Sequence, residues 1–251
     1  MKKKLKKEIE SFQGLWPGGF SRSKMGWDAA VVAHRQAGTL DLPGLVDKCI
    51  APYIIPNETL ALEIGTDGGF WAAKIVEFDP KGMIGADIRS DSETNFSRNM
   101  RNWSSTKDRL DRLYYLWLED FTLSALPDET VDYVFSFDVF CHISFTGTKE
   151  YLKNLYPKLK TGANLFIMIA DPDKYTEVAF IQNNKNRPGT EDWEVVKDDY
   201  DGDPSPGRWY FYGLDRFCAA ARSYGYTIIE EDACKSICLE SPVVHLRKEA
   251  F

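Results

Sequence analysis

Several features that would assign a chain to a specialised class are missing from these 251 residues. There is no CxxC pair. The five cysteines, Cys49, Cys141, Cys218, Cys234 and Cys238, are odd in number and scattered, which excludes a regular disulfide framework or cysteine zinc site and points to reduced thiols. Long apolar runs are absent too: the longest, Leu165 to Ala170, is far too short for a bilayer span of about 20 residues. Lys and Arg number 31 against 38 Asp and Glu, a net charge of −7, and so lack the basic excess of a duplex-binding surface. The lysine-rich opening, MKKKLKKEIE, leads into no apolar stretch and reads as a solvated end rather than a secretory signal. Internal repeats and low-complexity segments are absent. What remains is an ordinary globular composition, 43% hydrophobic and 27% charged. It is expected to make a soluble, cytoplasmic protein of one large domain, or one domain with a cap, with no membrane or nucleic-acid partner.

The most informative stretch is Thr59 to Glu77, TLALEIGTDGGFWAAKIVE. Leu60, Leu62 and Ile64 alternate with small or polar residues, the period of a strand. From Phe70, the residues Ala72, Ile75 and Val76 can share one helical face. Between them lies Gly65-Thr66-Asp67-Gly68-Gly69. A strand that stops on glycines and restarts as a helix makes a hollow lined by backbone, with the helix N-terminus aimed into it, suited to a nucleotide-like ligand. The spacing is not the dinucleotide fingerprint G-x-G-x-x-G.

The chain around this turn alternates strand and helix. Before it, Trp27 to His34 and Leu42 to Ala51 read as short helices, the second opened by Pro43 and stopped by Pro52. After it come a strand at Gly82–Asp87, a helical segment from Ser92 to Trp103, a strand at Leu113–Leu118 and an apolar strand at Val131–Phe137. A helix carrying Leu152, Leu155 and Leu159 is expected to run to Gly162 with a kink at Pro157. A strand at Leu165–Ala170, a helix at Leu214–Ser223 and strands at Tyr226–Glu230 and Val243–Arg247 complete the pattern. The alternation predicts an α/β protein with a doubly wound, mostly parallel seven-stranded sheet. Residues 1–57 read as an N-terminal helical extension and 58–251 as the main domain, with a lid-like insertion at about 174–207 rich in Asp, Asn, Pro and Gly.

The turn Glu63-x-Gly-x-Asp-Gly-Gly resembles the first motif of class I S-adenosylmethionine (SAM)-dependent methyltransferases, an acid followed by G-x-G-x-G at the end of the first strand. Glu63, Gly65 and Gly69 match. Asp67 stands in place of the middle glycine, and Asp is among the few residues that tolerate left-handed backbone angles. Leu126-Pro127-Asp128 through Val131-Asp132-Tyr133-Val134, then Asp138-Val139-Phe140-Cys141-His142-Ile143, and Leu159-Lys160-Thr161-Gly162-Ala163 resemble later passages of the same family. So does the closing segment from Arg208-Trp209-Tyr210-Phe211 to Gly225-Tyr226. The resemblance spans about Leu60 to Arg247. It implies a Rossmann-like fold, SAM as cofactor and cofactor contacts at Glu63, Gly65, Thr66, Asp67, Gly69, Asp87, Ile88, Asp120, Phe121 and Phe137. Within that set, Asp87 would accept the ribose hydroxyls and Asp120 would lie near the adenine amine; each needs an acceptor for a ligand N–H or O–H.

The resemblance also places the methyl beyond the fourth strand, where His142 is a candidate base and Asp138 its orienting or substrate-binding partner. The expected reaction is methyl transfer to a small molecule at a hydroxyl oxygen, on a sugar or natural-product-like acceptor. The alternatives are N-methylation of a small amine or nucleobase, or binding without catalysis. A magnesium site at Asp138, Asp171 and Asp173 is a lesser reading, and no metal is assigned. Asp171-Pro172-Asp173-Lys174-Tyr175 lacks the second proline of the (D/N)PP(Y/F) motif of DNA amino-methyltransferases and follows the wrong strand. Trp16, Phe20, Trp27, Trp193, Trp209, Tyr210 and Tyr212 either wall an acceptor pocket or pack the cap. His34 and His245 read as structural or surface residues.

Overall fold

The computed structural model describes residues 2–12, 26–174 and 210–250. Seven strands form: β1 (Leu60–Ile64), β2 (Gly82–Asp87), β3 (Leu113–Trp117), β4 (Val131–Ser136), β5 (Leu159–Met168), β6 (Tyr226–Glu230) and β7 (Val243–Lys248). The helices that position the site are α1 (Lys2–Phe12), α2 (Trp27–Ala37), α3 (Phe70–Val76), α4 (Phe96–Asn102), α5 (Phe145–Leu155) and α6 (Leu214–Ser223). The strands lie in one sheet of order β3-β2-β1-β4-β5-β7-β6. β1 to β5 pair in parallel, and β7 runs antiparallel between β5 and β6. The doubly wound sheet expected from the alternating pattern is therefore the observed one.

Alternation along the central strands sorts side chains onto two buried faces. Leu62, Ile64, Val134, Leu165 and Ile167 fill one face with α5 and α6. Ala61, Tyr133, Phe135, Phe166 and Met168 fill the other with α3. Burying one side chain the size of Leu62 or Phe166 contributes about 1.5–3 kcal/mol, so these two layers dominate the stability. The segment before β1 takes part in the second layer: Leu42, Leu45, Val46, Cys49, Ile50 and Ile54 are buried against the sheet. The Tyr133 hydroxyl donates to the Cys49 carbonyl at 2.7 Å. All five cysteines are buried thiols outside any disulfide.

Three local expectations change. Leu42 to Ala51 is an α-turn at Leu42–Leu45 that widens into a π-turn at Val46–Ile50 and tightens into a 3₁₀ turn at Ala51–Tyr53. The segment from Ser92 to Trp103 breaks at Asn95, which adopts φ 59° between a one-turn helix at Asp91–Thr94 and α4. Ser90 and Glu93 form a reciprocal capping box on the first piece. The helix α5 stops at Leu155, before Pro157, and does not reach Gly162. Pro157 cannot donate to the helix ladder; a 3₁₀ turn at Tyr156–Lys158 follows, and Leu159 already pairs with Val131. Gly162 thus lies inside β5, where the β4–β5 register slips through a bulge. Nearly all of the expected lid, and with it Trp193 and Trp209, falls outside the described residues, as do Trp16 and Phe20.

Candidate active site

In an open parallel sheet, ligands sit outside the strand carboxyl ends where the strand order reverses. Here β1 is that place, with β2 on one side and β4 on the other. The turn leaving β1 is held there by its backbone: the N–H groups of Gly65 and Thr66 both donate to the Ala86 carbonyl of β2, at 2.7 and 3.1 Å. The Ser136 hydroxyl of β4 donates to the Ile64 carbonyl at 2.9 Å. Gly65 adopts φ 75° and faces Val139 so closely that a Cβ would overlap it. Gly69 starts α3 at φ 87°, and a Cβ there would overlap Met100. These two positions require glycine. Asp67 sits between them at φ 48°, the left-handed geometry its side chain tolerates.

Glu63 closes β1 and is 2% exposed. Burial drives its carboxyl well above the ordinary carboxylate range, against the opposing bonds from the Thr66 hydroxyl and the Ala72 backbone. Thr66 Oγ1 donates to Glu63 Oε2 at 2.7 Å, which folds the turn back over the strand end. Asp87 closes β2 and is 4% exposed. Its Oδ2 accepts from the Asp67 backbone N–H and its Oδ1 from the Arg89 backbone N–H, both at 2.9 Å. Glu63, Gly65, Thr66, Asp67 and Gly69 thus lie along the turn from β1 to α3, with Asp87 bonded to it from the end of β2.

Sequence reasoning missed Arg89, which is 6% exposed. Its Nη2 donates to Asp67 Oδ1 at 2.6 Å, and its Nε reaches Asp87 Oδ1 at 3.3 Å. Burial alone would lower the guanidinium pKa; the Asp87 and Asp67 carboxylates outweigh it and raise it. Its backbone carbonyl accepts from the Tyr115 hydroxyl at 2.7 Å, which fixes the residue to β3. The available signal was charge: three acids around one turn call for a cation, and Arg89 stands two positions after Asp87.

The remaining candidates lie further out. Ile88 is half-buried against the sheet, and its carbonyl accepts from the Trp117 indole N–H at 3.1 Å. Asp120 is exposed and accepts from the Thr122 backbone N–H and hydroxyl, at 2.8 and 2.6 Å, in a turn of its own. Phe121 packs edge-on against Tyr151 at 4.7 Å. Phe137 is buried beside Trp71 and Phe135. These two aromatic side chains belong to the core.

Beyond β4, one loop carries both Asp138 and His142. Asp138 adopts φ 59°, and its N–H points at Met168 Sδ at 3.4 Å. His142 ends a 3₁₀ turn at Phe140–His142, half-buried, with its ring edge-on to Phe12 of α1 at 6.3 Å between centroids. The loop is clasped from outside: Tyr210 N–H donates to the Cys141 carbonyl at 2.7 Å and the Tyr212 hydroxyl to the Phe140 carbonyl at 3.0 Å. Tyr210 and Tyr212 are buried, so they pack rather than line open space. Glu8 of α1 also reaches this region, accepting from the Ser144 N–H and hydroxyl at 2.5 and 2.8 Å.

Asp171 does other work. Its Oδ1 accepts from the backbone N–H groups of Asp173 and Lys174, and its Oδ2 from Leu214 at 2.8 Å, which ties the end of β5 to the first residue of α6. Among the described residues no three His, Cys, Asp or Glu side chains converge as a metal site would need. His245 is structural: it stacks on Phe166 at 4.2 Å and bonds Asn164 Oδ1 at 2.9 Å. Among the described residues no helix is long and apolar enough to cross a membrane.

This strand order, with a glycine turn after β1 and an acid after β2, is the class I SAM-dependent methyltransferase fold, and comparison with solved structures agrees. A SAM-dependent methyltransferase of Methanosarcina mazei superposes with a TM-score of 0.57 at 13% identity, over 80% of this chain and 96% of that one. A geranyl diphosphate methyltransferase in complex with GPP and sinefungin gives 0.58 at 9% identity, over 92% and 87% of the two chains. A possible exported protein of Bordetella parapertussis gives 0.59 at 15% identity, over 88% and 70%. Identities this low establish the fold alone. No protein-family model and no curated protein matches the sequence.

Proposed function

We propose that this protein transfers a methyl group from SAM to a hydroxyl oxygen of a small molecule, a sugar or natural-product-like acceptor. The observation that carries the reading is the buried Asp87 at the end of β2, facing the left-handed turn after β1 across the switch point of the sheet. The donor set suits an adenosyl ligand: a carboxylate for the ribose diol, a glycine-bounded turn for the amino-acid end, and the exposed Asp120 at the adenine end. Glu63, Thr66 and Gly65 hold the turn in place. Bound SAM would supply a methyl on a positively charged sulfur, for which in-line positioning is the main requirement.

His142 stands on the loop beyond β4 as the group to take the acceptor hydroxyl proton as the oxygen attacks. Asp138 shares that loop as its orienting or substrate-binding partner. The ring of Phe12 against His142 supports an enclosed acceptor site, since it shields one side of the imidazole from water.

Calorimetric titration with SAM, S-adenosylhomocysteine and NADH tests the cofactor. The two sulfur ligands bind at micromolar concentration and NADH does not; Asp87→Ala weakens the sulfur ligands at least about tenfold, roughly 1.4 kcal/mol. With an acceptor in hand, His142→Ala lowers kcat by about 10²-fold or more while SAM affinity stays unchanged. Absence of binding by both sulfur ligands ends this reading.

A further inference from the structure

The Arg89 guanidinium is anchored on Asp67 and only leans on Asp87. Nη2 lies 2.6 Å from Asp67 Oδ1, whereas the side-chain contacts to Asp87 are 3.3 Å from Nε to Oδ1 and 3.5 Å from Nη2 to Oδ2. Charge-assisted bonds at full strength run about 2.7–2.9 Å. Each Asp87 oxygen already accepts one backbone N–H. An ionised carboxylate offers about four acceptor positions, so the Arg89 side chain stands over the two that remain. A vicinal diol needs that same pair.

We propose that Asp67 is a built-in counter-ion that allows Arg89 to yield Asp87 to the ribose diol of the cofactor. This rests on the reading of the hollow as an adenosyl site. On binding, the two ribose O–H groups replace Nε and Nη2 at Asp87, while the guanidinium keeps its short bond to Asp67. The cation therefore stays paired, at 6% exposure where an unpaired charge would be strongly disfavoured. Removing the Asp67 carboxylate takes away the shortest described bond of the guanidinium and draws it toward Asp87, closing the diol position. The substitution of Asp for glycine in this turn is thus a working part of the site.

The test is calorimetry with S-adenosylhomocysteine on the wild type, Asp67→Asn, Asp67→Gly and the double variant Asp67→Asn/Arg89→Ala. Asn keeps the size and left-handed tolerance of Asp67 and removes only its charge. Both single variants bind about tenfold more weakly, and the double variant recovers to within about threefold of the wild type. A turn that merely needed support would give the opposite order, with the double variant worst. A ligand-free crystal structure of Asp67→Asn supplies a second readout: the guanidinium closes from 3.3 and 3.5 Å to about 2.7–2.9 Å from the two Asp87 oxygens. Unchanged affinity in the single variants, a double variant no better than the singles, or a guanidinium that stays in place overturns the exchange. Wild-type protein that binds neither SAM nor S-adenosylhomocysteine overturns the methyltransferase reading and the exchange together.

Discussion

Glu63 shows how one buried residue sets the pH response of the turn. Its folded pKa lies above the unfolded one because burial disfavours the charged form. The linked stability is complete below the unfolded value, about 4.3, and is lost as pH rises through the folded value. Glu63→Gln, which copies the neutral carboxyl, therefore gains in melting temperature relative to the wild type as pH is raised from about 4 to 8; a constant difference would refute this. His245 acts with the opposite sign. Burial, reinforced by Arg247, lowers its imidazole to about 4. Its contribution is present above the unfolded value, about 6.5, and fades as pH falls toward the folded one. Thermal unfolding of His245→Asn should thus show a shallower loss of stability between pH 6.5 and 4 than the wild type.

At the level of elements, α1 is held to the rest of the protein through the start of α5. Ser144 caps α5, its hydroxyl accepting from Gly147 N–H at 3.1 Å, and the Glu8 carboxylate accepts from both the N–H and the hydroxyl of Ser144. Ile9 enters the core beside this contact, and Phe12 covers His142. Glu8→Ala leaves a buried N–H and hydroxyl without their acceptor, at about 1–3 kcal/mol. Limited proteolysis followed by mass spectrometry should find the first dozen residues cut faster in that variant while the sheet resists. Equal cleavage rates would show that apolar packing alone holds α1. On the proposed reading the same variant raises KM for the acceptor more than it affects SAM affinity, because α1 meets His142 and not the Asp87 side of the site.

Across the whole molecule, the segment before β1 and the closing antiparallel strands share the buried layers of the central sheet. Unfolding should accordingly be one cooperative transition. A ligand at 100 times its Kd adds about 2.7 kcal/mol. For a chain of this size that raises Tm by about 5–10 °C. On the proposed reading, SAM shifts the single transition by this amount in scanning calorimetry. A separate, ligand-insensitive transition would show that the extension folds independently.

The features readable in the sequence are those set by neighbouring residues. Gly65, Asp67 and Gly69 adopt the positive φ that their side chains permit, and β2, β6 and α6 have the bounds that alternation and helical spacing give them. The acids at the ends of β1 and β2 could be placed because strand ends are local events. The break at Asn95 and the early start of β5 at Leu159 were not legible. Asn95 tolerates the left-handed geometry of the break, but its position was settled along with the burial of Phe96, and β5 begins at Leu159 because that residue pairs with Val131. Arg89 was hidden for a related reason: its importance comes from Asp67, 22 positions away. Glu8 was hidden more deeply, since its partner Ser144 is 136 positions distant. Chain order records which residues follow one another, and a buried charge is balanced by whatever the fold brings within a few ångströms. The class of fold was therefore written in local pattern, whereas the ion pairs that tune the hollow and the helix that covers His142 were decided only when the sheet closed.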